Sequence, residues 1–432
     1  MAVVGGIIGG GIFRTPATVA ERVSSTGMVL AAWVVGGIVA LIGAFCFGEL
    51  GQRRPRAGGG YVYLRETWGP LPAFLYGWTL VLVIATGAIA AVAVTFANYA
   101  LALAGLSDNL TVPVAVGTIV LLAGINYVGV RPAAITQNIF TVLKLAALAT
   151  LIGAGIFLAA PTALYHPLPP FAASSFGAAL VPILFTYGGW QQTNFIAEEI
   201  IEPEKNLPRA LVLGVAIVVA VYLLANLAYL RVLGVHGLAR STAPAADVMV
   251  ALLGPAGGKL IATGIAVSTF GFLNLVILVT PRVLQAMAAD GVFFARLAVL
   301  HPVHRTPAAA IVALAACAAL LTLSKTFGQL VDYVTFGDWI FFGLTVAGLF
   351  IYRNRDGGRG TLKGGAGDGL RTFRVPGYPV TPALFVLAAA YVVVSAVVSN
   401  PKNAGIGAVL IAAGIPVFLY WRRPRPALRS EP

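Results

Sequence analysis

One lysine lies where a charge is costly. Lys144 stands well inside an apolar segment that begins near Ala134, too far from its ends for the side chain to reach water. A charge at the centre of a membrane helix costs about 2.5–3.5 kcal/mol on insertion scales, and such residues face the protein interior and mark ion or proton pathways. Because burial favours the neutral amine, Lys144 could bind and release a proton; the alternative is a fixed cation.

Glycines interrupt two apolar segments. The first contains Gly9, Gly10 and Gly11 in succession, and the sixth contains Phe185-Thr186-Tyr187-Gly188-Gly189-Trp190. Small residues also serve close helix packing, but a broken helix leaves N–H and C=O groups without helical partners. Half-helix ends attract carboxylates and cations. A zwitterionic amino acid matches both kinds of end, so we predict that the two breaks form its binding site.

Two further polar groups are candidates for a role near these breaks. Ser268 and Thr269, in the eighth apolar segment, could contact Lys144 or the carbonyls freed in the first segment. The alternative is that each hydroxyl bonds to its own helix, as Ser and Thr in membrane helices commonly do.

Charged clusters stand at the end of the sixth segment and in the first basic loop. They predict an inner gate of ion pairs, with a solvated charged surface as the alternative. The acidic cluster is Glu198, Glu199, Glu202 and Glu204, and the basic cluster is Arg53, Arg54 and Arg56.

These residues are carried by a membrane protein. Hydrophobic residues make up 59% and charged residues 10% of the 432, and charges near 25% are usual in soluble domains. Apolar blocks long enough to cross about 30 Å of hydrocarbon as helices recur along the chain. We therefore predict an all-α membrane protein of twelve spans, which begin near Ala2, Met28, Leu71, Val112, Ala134, Phe176, Leu207, Gly258, Pro307, Tyr333, Thr381 and Asn403.

The basic residues predict the orientation. With even-numbered connections and the C-terminus inside, the inner segments hold 20 of the 28 Lys and Arg and the outer ones 7. This bias places both termini in the cytoplasm. It also explains the net charge of +13, so we do not expect nucleic acid as a partner. Only eight residues precede Gly9, so we expect either a start assigned too late or a truncated first helix.

Corresponding breaks in two halves of a chain point to inverted repeats with a binding site between them. We predict a first five-helix repeat over 1–160, a second over 176–353, two appended helices over 376–421 and a cytoplasmic tail over 422–432. Cys46 and Cys317 lie in apolar blocks, and no metal or cofactor site is expected.

Five motifs resemble those of the amino acid–polyamine–organocation transporter superfamily, especially its L-type amino acid exchangers and their bacterial relatives. Gly10 stands where serine is usual. The motifs are Gly9-Gly10-Gly11-Ile12-Phe13, Pro55-Arg56-Ala57-Gly58-Gly59-Gly60-Tyr61-Val62-Tyr63-Leu64-Arg65-Glu66, Phe185 to Trp190, Pro203-Glu204-Lys205-Asn206-Leu207-Pro208-Arg209-Ala210, and Arg282 with Ala286-Met287-Ala288-Ala289-Asp290-Gly291.

The resemblance implies a LeuT-type fold of five plus five helices and a set of site residues. Backbone N–H groups at Gly9, Gly10 and Gly11 would bind the substrate carboxylate, and Ile12 belongs to the same substrate-binding segment. Backbone groups at Phe185, Thr186, Tyr187 and Gly188 would hold the ammonium, and Trp190 would close over the side chain. Lys144 would stand in for the sodium ion of related carriers.

These observations predict secondary transport of amino acids across the cytoplasmic membrane by alternating access. Neither a carboxylate nor an arginine lies near the breaks in sequence, which favours neutral amino acids over charged ones. Exchange and proton-coupled symport both remain open. So do two alternatives: an amino-acid-binding membrane sensor, and a carrier of another organocation such as a polyamine or cationic amino acid.

The expected partners are therefore the amino acid, the membrane lipid and, for a symporter, a proton. The loop Gly105-Leu106-Ser107-Asp108-Asn109-Leu110 has no cysteine, so no covalent ancillary subunit is expected. An enzyme is not expected, since no catalytic constellation accompanies Lys144 at membrane depth. The sequence also has no Walker-type phosphate loop.

Overall fold

The structure, a computed structural model, describes residues 1–159, 173–324, 327–355 and 373–421, and it contains only helices and connecting segments in these ranges. The predicted all-α class is confirmed. The predicted cytoplasmic tail, 422–432, lies outside the described residues.

The first half of the chain begins with a helix that is broken after two turns. Its parts are α1 (Ala2–Ile7), a 3₁₀ turn at Gly11–Phe13 and α2 (Thr15–Val23). The helices that follow are α3 (Thr26–Arg53), α4 (Gly60–Trp68), α5 (Pro70–Thr79), α6 (Thr86–Ala104), α7 (Thr111–Val128) and α8 (Val130–Phe157), with a π-helical stretch at Leu80–Ala85 joining α5 to α6.

The second half begins with another interrupted helix. Here α9 (Ala173–Thr186) is followed by a 3₁₀ segment at Trp190–Glu199. The remaining helices are α10 (Pro203–Arg240), α11 (Pro244–Val279), α12 (Pro281–Ala289), α13 (Ala308–Ser324), α14 (Phe327–Arg355), α15 (Val380–Ser399), α16 (Pro401–Ala412) and α17 (Gly414–Trp421).

Several of these helices suit a bilayer. Within the described ranges, 8 helical stretches have the length and the apolar composition needed to cross one. Their outward faces carry large apolar side chains, such as Val120 at 61% and Leu213 at 62% exposure. In water such a surface would be costly, whereas hydrocarbon solvates it well.

Two helices are longer than the sequence pattern predicted. The segment expected to begin near Gly258 belongs to α11, which starts at Pro244, and the seventh segment continues in α10 to Arg240. Both additions follow from kinks at which the backbone leaves helical geometry, at Gly254 in α11 and at Gly234 in α10. A short helix is thus joined to each long one across a bend that hydrophobicity alone does not mark.

The broken first helix lies at the centre of the bundle. It packs against α8, α10 and α11, and α10 in turn packs along α3. Ile8 and Ile12, which flank the break, are fully buried. Segments that bear backbone groups without helical partners are therefore surrounded by protein, as a lipid environment requires.

A buried carboxylate joins distant parts of the chain at one end of the bundle. Glu49, near the end of α3, is fully buried and accepts hydrogen bonds from Arg53 at 2.8 Å and Arg353 at 2.9 Å. It also accepts one from the backbone N–H of Val375 at 2.7 Å. Two guanidinium groups and an amide thus compensate the charge, which otherwise would be costly to bury.

Candidate functional site

The first break frees backbone carbonyls, and Lys144 binds two of them. Its Nζ donates to the carbonyl oxygens of Gly5, at 3.0 Å, and Ile8, at 2.8 Å. The helix α1 ends at Ile7, and Ile8 has an extended backbone, so helical N–H groups no longer reach these oxygens. Lys144 is fully buried. An ammonium group at this position supplies the hydrogen bonds that the break removed.

Hydroxyl groups complete the set of donors around the break. Ser268 donates to the carbonyl of Ile8 at 3.3 Å. Tyr222 and Tyr229, both on α10, donate to the carbonyls of Ile7 at 3.0 Å and Ile12 at 3.2 Å. The sequence analysis missed these two tyrosines, although polar side chains repeated in one apolar segment were the available signal.

Thr269 bonds to its own helix, which was the alternative considered for both hydroxyl residues. Its hydroxyl donates to the carbonyls of Ile265 and Ala266 in its own helix, both at 2.9 Å. Of the two hydroxyl residues singled out in the eighth segment, the structure therefore brings Ser268 to the break and leaves Thr269 within α11.

The second break touches the first, backbone against backbone. The helix α9 ends at Thr186, and Gly189 has φ +108°, a conformation that other residues rarely adopt. A Cβ placed on Gly189 would lie 2.3 Å from the carbonyl oxygen of Gly6. The N–H of Gly189 is satisfied by the side-chain oxygen of Gln191 at 3.0 Å. The two interrupted segments thus meet at van der Waals distance without a side chain between them.

Threonine and tyrosine side chains tie the second break to its surroundings. The hydroxyls of Thr15 and Thr186 lie 2.7 Å apart, and Thr186 also donates to the carbonyl of Pro182 at 2.8 Å. Tyr187 donates to the carbonyl of Trp33 at 3.3 Å. These contacts hold both sides of the break in place.

Two aromatic residues of the second break point away from the first. Phe185 is 47% exposed. Trp190 is buried against Phe47, with ring centroids 4.9 Å apart, and against Phe342 and Phe385, both at 6.2 Å. For Trp190 to cover a substrate, its ring would have to leave this aromatic cluster, and that role stays a prediction.

A cavity of about 260 Å³ adjoins the first break. Its walls come from the broken helix, α6, and the start and middle of α11. They are formed by Gly10, Phe13, Arg14, Thr95, Tyr99, Thr242, Ala243, Ala245, Ala246 and Ile265. Gly10 is the one predicted substrate-binding residue among them, and a Cβ placed on it would meet no atom within 4 Å. Gly10 therefore faces open space, and Gly9, Gly11 and Ile12 continue the same segment.

The cavity also contains a charge that the sequence analysis overlooked. Arg14, which is exposed, is the only charged residue among the described residues that line it. The statement that no arginine lies near the breaks is therefore wrong. Arg14 follows Gly10 by only four positions, but its sequence position gave no indication that it shares a cavity with the break.

Ion pairs lie at the opposite end of the bundle, which we call the Glu199 end. The end that bears Arg14 is called the Arg14 end. Arg282, in the first turn of α12, is nearly fully buried and bonds Glu199 at 2.8 Å. Asp290 accepts from Tyr61 at 2.8 Å and pairs with Arg65 at 2.5 Å. Burial, followed by the nearby Asp290 carboxylate, raises the pKa of Tyr61, so its hydroxyl stays protonated and donates.

These contacts correct the predicted gate. Glu199 pairs with Arg282, and Glu202 pairs with Lys205 on the same helical turn at 3.1 Å. Arg53 and Arg54 pair with Glu49 and Glu66. The two clusters lie at the same end of the molecule, as expected, but each of these four cluster residues pairs with a side chain outside the other cluster.

Comparison with known proteins identifies the family. Residues 1–421 match the amino acid permease family. The chain belongs to this family. It is 33% identical to the large neutral amino acids transporter small subunit 2 of Mus musculus, over 97% of this chain and 80% of that protein. It is 32% identical to the serine/threonine exchanger SteT of Bacillus subtilis, over 98% of this chain and 95% of that protein.

Human Asc-type amino acid transporter 1 is similar to the same extent, at 31% identity over 97% of this chain and 81% of that protein. Family membership confirms the predicted superfamily and its L-type branch. It also confirms amino acid transport as the function, so the chain is a multi-pass membrane transporter and not an enzyme.

Proposed function

We propose that this protein exchanges neutral amino acids across the cytoplasmic membrane by alternating access. The observation that carries the proposal is the contact of the two helix breaks at Gly6 and Gly189, with Lys144 bound to the carbonyls of the first break. Broken helices that meet inside a bundle present backbone groups of both polarities to one solute. The three relatives described above are named as amino acid transporters or as an exchanger, which supports the same conclusion.

The first break supplies the carboxylate contacts of the proposed site. Backbone N–H groups at Gly9, Gly10 and Gly11 hold the α-carboxylate, and Ile12 completes the segment. The open space beside Gly10 supports this assignment, because a substrate can approach the backbone there without meeting a side chain.

The second break supplies the ammonium contacts. Carbonyls from Phe185 to Gly188 hold the substrate's ammonium group, and Trp190 covers its side chain after moving from its aromatic cluster. The end of α9 at Thr186 supports this assignment, since carbonyls at a helix C-terminus attract cations.

The lining of the cavity favours neutral over cationic substrates. Lysine, arginine or a polyamine would bring a second positive charge, and the cavity-lining residues that the structure describes include no Asp or Glu to pair with it. The cavity of about 260 Å³ is slightly smaller than the 300–1,000 Å³ that accommodates drug-sized ligands, in keeping with a small solute.

Lys144 acts in this proposal as a fixed cation. Both of its hydrogen-bond partners are backbone carbonyls, and no carboxylate pairs with it in the described part of the chain. A positive charge favours these contacts throughout the transport cycle. Exchange driven by the counter-substrate then requires no coupling proton.

The architecture we propose is twelve spans in the LeuT-type arrangement. Repeats over 1–160 and 176–353 face each other, helices over 376–421 are appended, and both termini are cytoplasmic. The Glu199 end then faces the cytoplasm and the Arg14 end faces outward. The ion pairs of Arg282 and Asp290 close the inner end, while the cavity at Gly10 adjoins the outer one.

We also propose that the chain works in the bilayer without a covalent ancillary subunit. The segment 105–110, which follows α6 at the Arg14 end, contains no cysteine. Cys46 is buried in α3 and Cys317 lies in α13, so neither belongs to that segment.

Transport into proteoliposomes tests the function directly. Purified protein is reconstituted into vesicles that are either empty or preloaded with unlabelled leucine or serine, with and without a pH gradient. Uptake of the labelled amino acid is expected only into preloaded vesicles, and it should be the same with and without the gradient. Unlabelled lysine should inhibit this uptake more weakly than unlabelled leucine or serine does.

Two other outcomes would contradict the proposed exchange and indicate a different function. Uptake into empty vesicles that depends on an inward proton gradient would establish symport and make Lys144 the proton-binding group. Uptake of none of the neutral amino acids would leave another organocation as substrate, or a sensor that binds without transport.

A further inference from the structure

Arg14 occupies an unusual electrostatic position. It lines the cavity beside Gly10 together with Phe13, Tyr99 and other uncharged residues, and among the lining residues that the structure describes it is the only charged one. No ion pair of the described residues includes it, although ion pairs neutralise Arg53, Arg54, Arg65 and Arg282 at the other end of the bundle. No hydrogen bond among the described residues engages its guanidinium group either, so its five N–H donors are available to a ligand.

The backbone around Arg14 is held in a defined position. Its N–H donates to the carbonyl of Gly11 at 3.0 Å, and its own carbonyl accepts from Ala17 at 3.2 Å. The next residue, Thr15, is bonded to Thr186 of the second break. The guanidinium group is thus attached to a fixed base at the junction between the 3₁₀ turn and α2, so ordering it costs only side-chain entropy.

We propose that Arg14 forms an entry site that binds the α-carboxylate of an arriving amino acid before the carboxylate reaches Gly10. This inference rests on the proposed function and adds an earlier binding step to it. A guanidinium fork matches the two oxygens of a carboxylate in plane. Because Arg14 and Gly10 line the same cavity, the carboxylate can pass from one to the other without crossing a protein barrier.

The entry site binds the substrate carboxylate and does not discriminate between apolar substrate side chains. Thr95 and Thr242 add hydroxyl groups to the wall, and Phe13 and Tyr99 add aromatic surface. A molecule that keeps the ammonium and side chain of an amino acid but has an amide in place of the carboxylate should lose the contact with Arg14. Lipid phosphate is a second source of anion for an exposed arginine, and the same comparison separates it from a substrate carboxylate.

The test compares Arg14→Gln with Lys259→Gln. Each variant removes one positive charge from the Arg14 end, but Lys259 is an exposed residue of α11 and does not line the cavity. Exchange of labelled leucine or serine, whichever the wild type transports, is measured in proteoliposomes for KM and maximal rate. Competition by the corresponding amino acid amide is measured in parallel, and thermal stabilisation by both compounds gives apparent affinities in detergent without transport.

For Arg14→Gln we expect KM to rise about two- to fivefold, the range for a solvent-exposed ion pair, with little change in maximal rate. The preference for the amino acid over its amide should fall by the same factor, and Lys259→Gln should behave as the wild type. An unchanged KM would overturn the inference, and so would a raised KM with an unchanged preference, since that result indicates lipid contact or a structural effect.

Failure of the proposed function would look different. The wild type would then show no exchange, and the binding comparison in detergent would still decide the role of Arg14. Equal stabilisation of the wild type and Arg14→Gln by the amino acid would reject the entry site, and weaker stabilisation of the variant alone would support it.

Discussion

At the scale of single residues, Lys144 replaces hydrogen bonds that the break in the first helix removes. The break in the first helix removes donors from the carbonyls of Gly5 and Ile8, and the ammonium group supplies two in their place. A hydroxyl from Ser268 adds a third contact, at Ile8. A buried cation is costly in isolation, and a buried unpaired carbonyl is costly too, so each compensates the other.

Replacing Lys144 with Met should therefore disable transport. The carbonyl of Gly5 would lose its donor, and each buried polar group without a partner costs about 1–3 kcal/mol. We expect Lys144→Met to lower the exchange rate at least about tenfold, as measured in proteoliposomes. The matched control is Lys259→Met at an exposed position, which should exchange normally.

Size-exclusion profiles of both variants in detergent separate lost transport from lost folding. Normal exchange by Lys144→Met at every pH would contradict both a fixed-cation role and a proton-binding role for this residue.

Single residues also show where sequence is informative and where it is not. Lys144 was identifiable because a charge in an apolar segment has so few stable environments. The role of Arg14 and the partner of Glu199 could not be predicted from the sequence. Sequence positions do not indicate which side chains share a cavity or lie at the same end of the bundle. The pairing of Glu199 with Arg282 joins positions 83 residues apart.

At the scale of secondary structure elements, the two breaks depend on each other. Gly189 has φ +108°, and the carbonyl of Gly6 fills the space where its side chain would be. The positions of both breaks were predictable from their glycines. Their backbone contact was not, since it depends on how α1 packs against the segment that follows α9. The same packing places Trp190 among Phe47, Phe342 and Phe385.

A pair of glycine substitutions tests this contact. In Gly189→Ala the new methyl group would lie 2.3 Å from a backbone oxygen and the residue would keep a strained φ, so the variant should be destabilised. Strain of this kind costs about 1–3 kcal/mol. We expect a clearly lower melting temperature by intrinsic fluorescence.

Gly10→Ala is the matched control for that substitution, because its methyl group would meet no atom within 4 Å. Its melting temperature should equal that of the wild type. Equal melting temperatures for all three proteins would argue against the contact between the breaks.

At the scale of the whole molecule, one-for-one exchange of zwitterions moves no net charge. A membrane potential should therefore leave the exchange unaffected. A potential of 100 mV is worth about 2.3 kcal/mol per elementary charge, so uptake coupled to one net charge would change its accumulation ratio roughly fiftyfold. Potassium diffusion potentials set with valinomycin in preloaded vesicles provide the measurement.

Equal uptake at both polarities is the expected result. Uptake that follows the sign of the potential would mean that a cation moves with the substrate, or that the substrate itself is charged.

Much of the fold could be predicted from the sequence because a lipid environment allows few backbone structures. Apolar blocks indicated helices, and the glycine breaks marked the segments that meet in the interior. The additional helical parts of α10 and α11 were missed, because the kinks at Gly234 and Gly254 turn one apolar run into two helices with different directions.

The buried Glu49 has a consequence for how the chain is made. Arg53 is synthesised almost together with it, but Arg353 follows 304 residues later and Val375 later still. At 5–20 residues per second, Glu49 waits roughly 15–60 s for its second guanidinium group. During that interval Arg53 is the only one of these three partners that has been synthesised, so the complete set of bonds to Glu49 can form only late in translation.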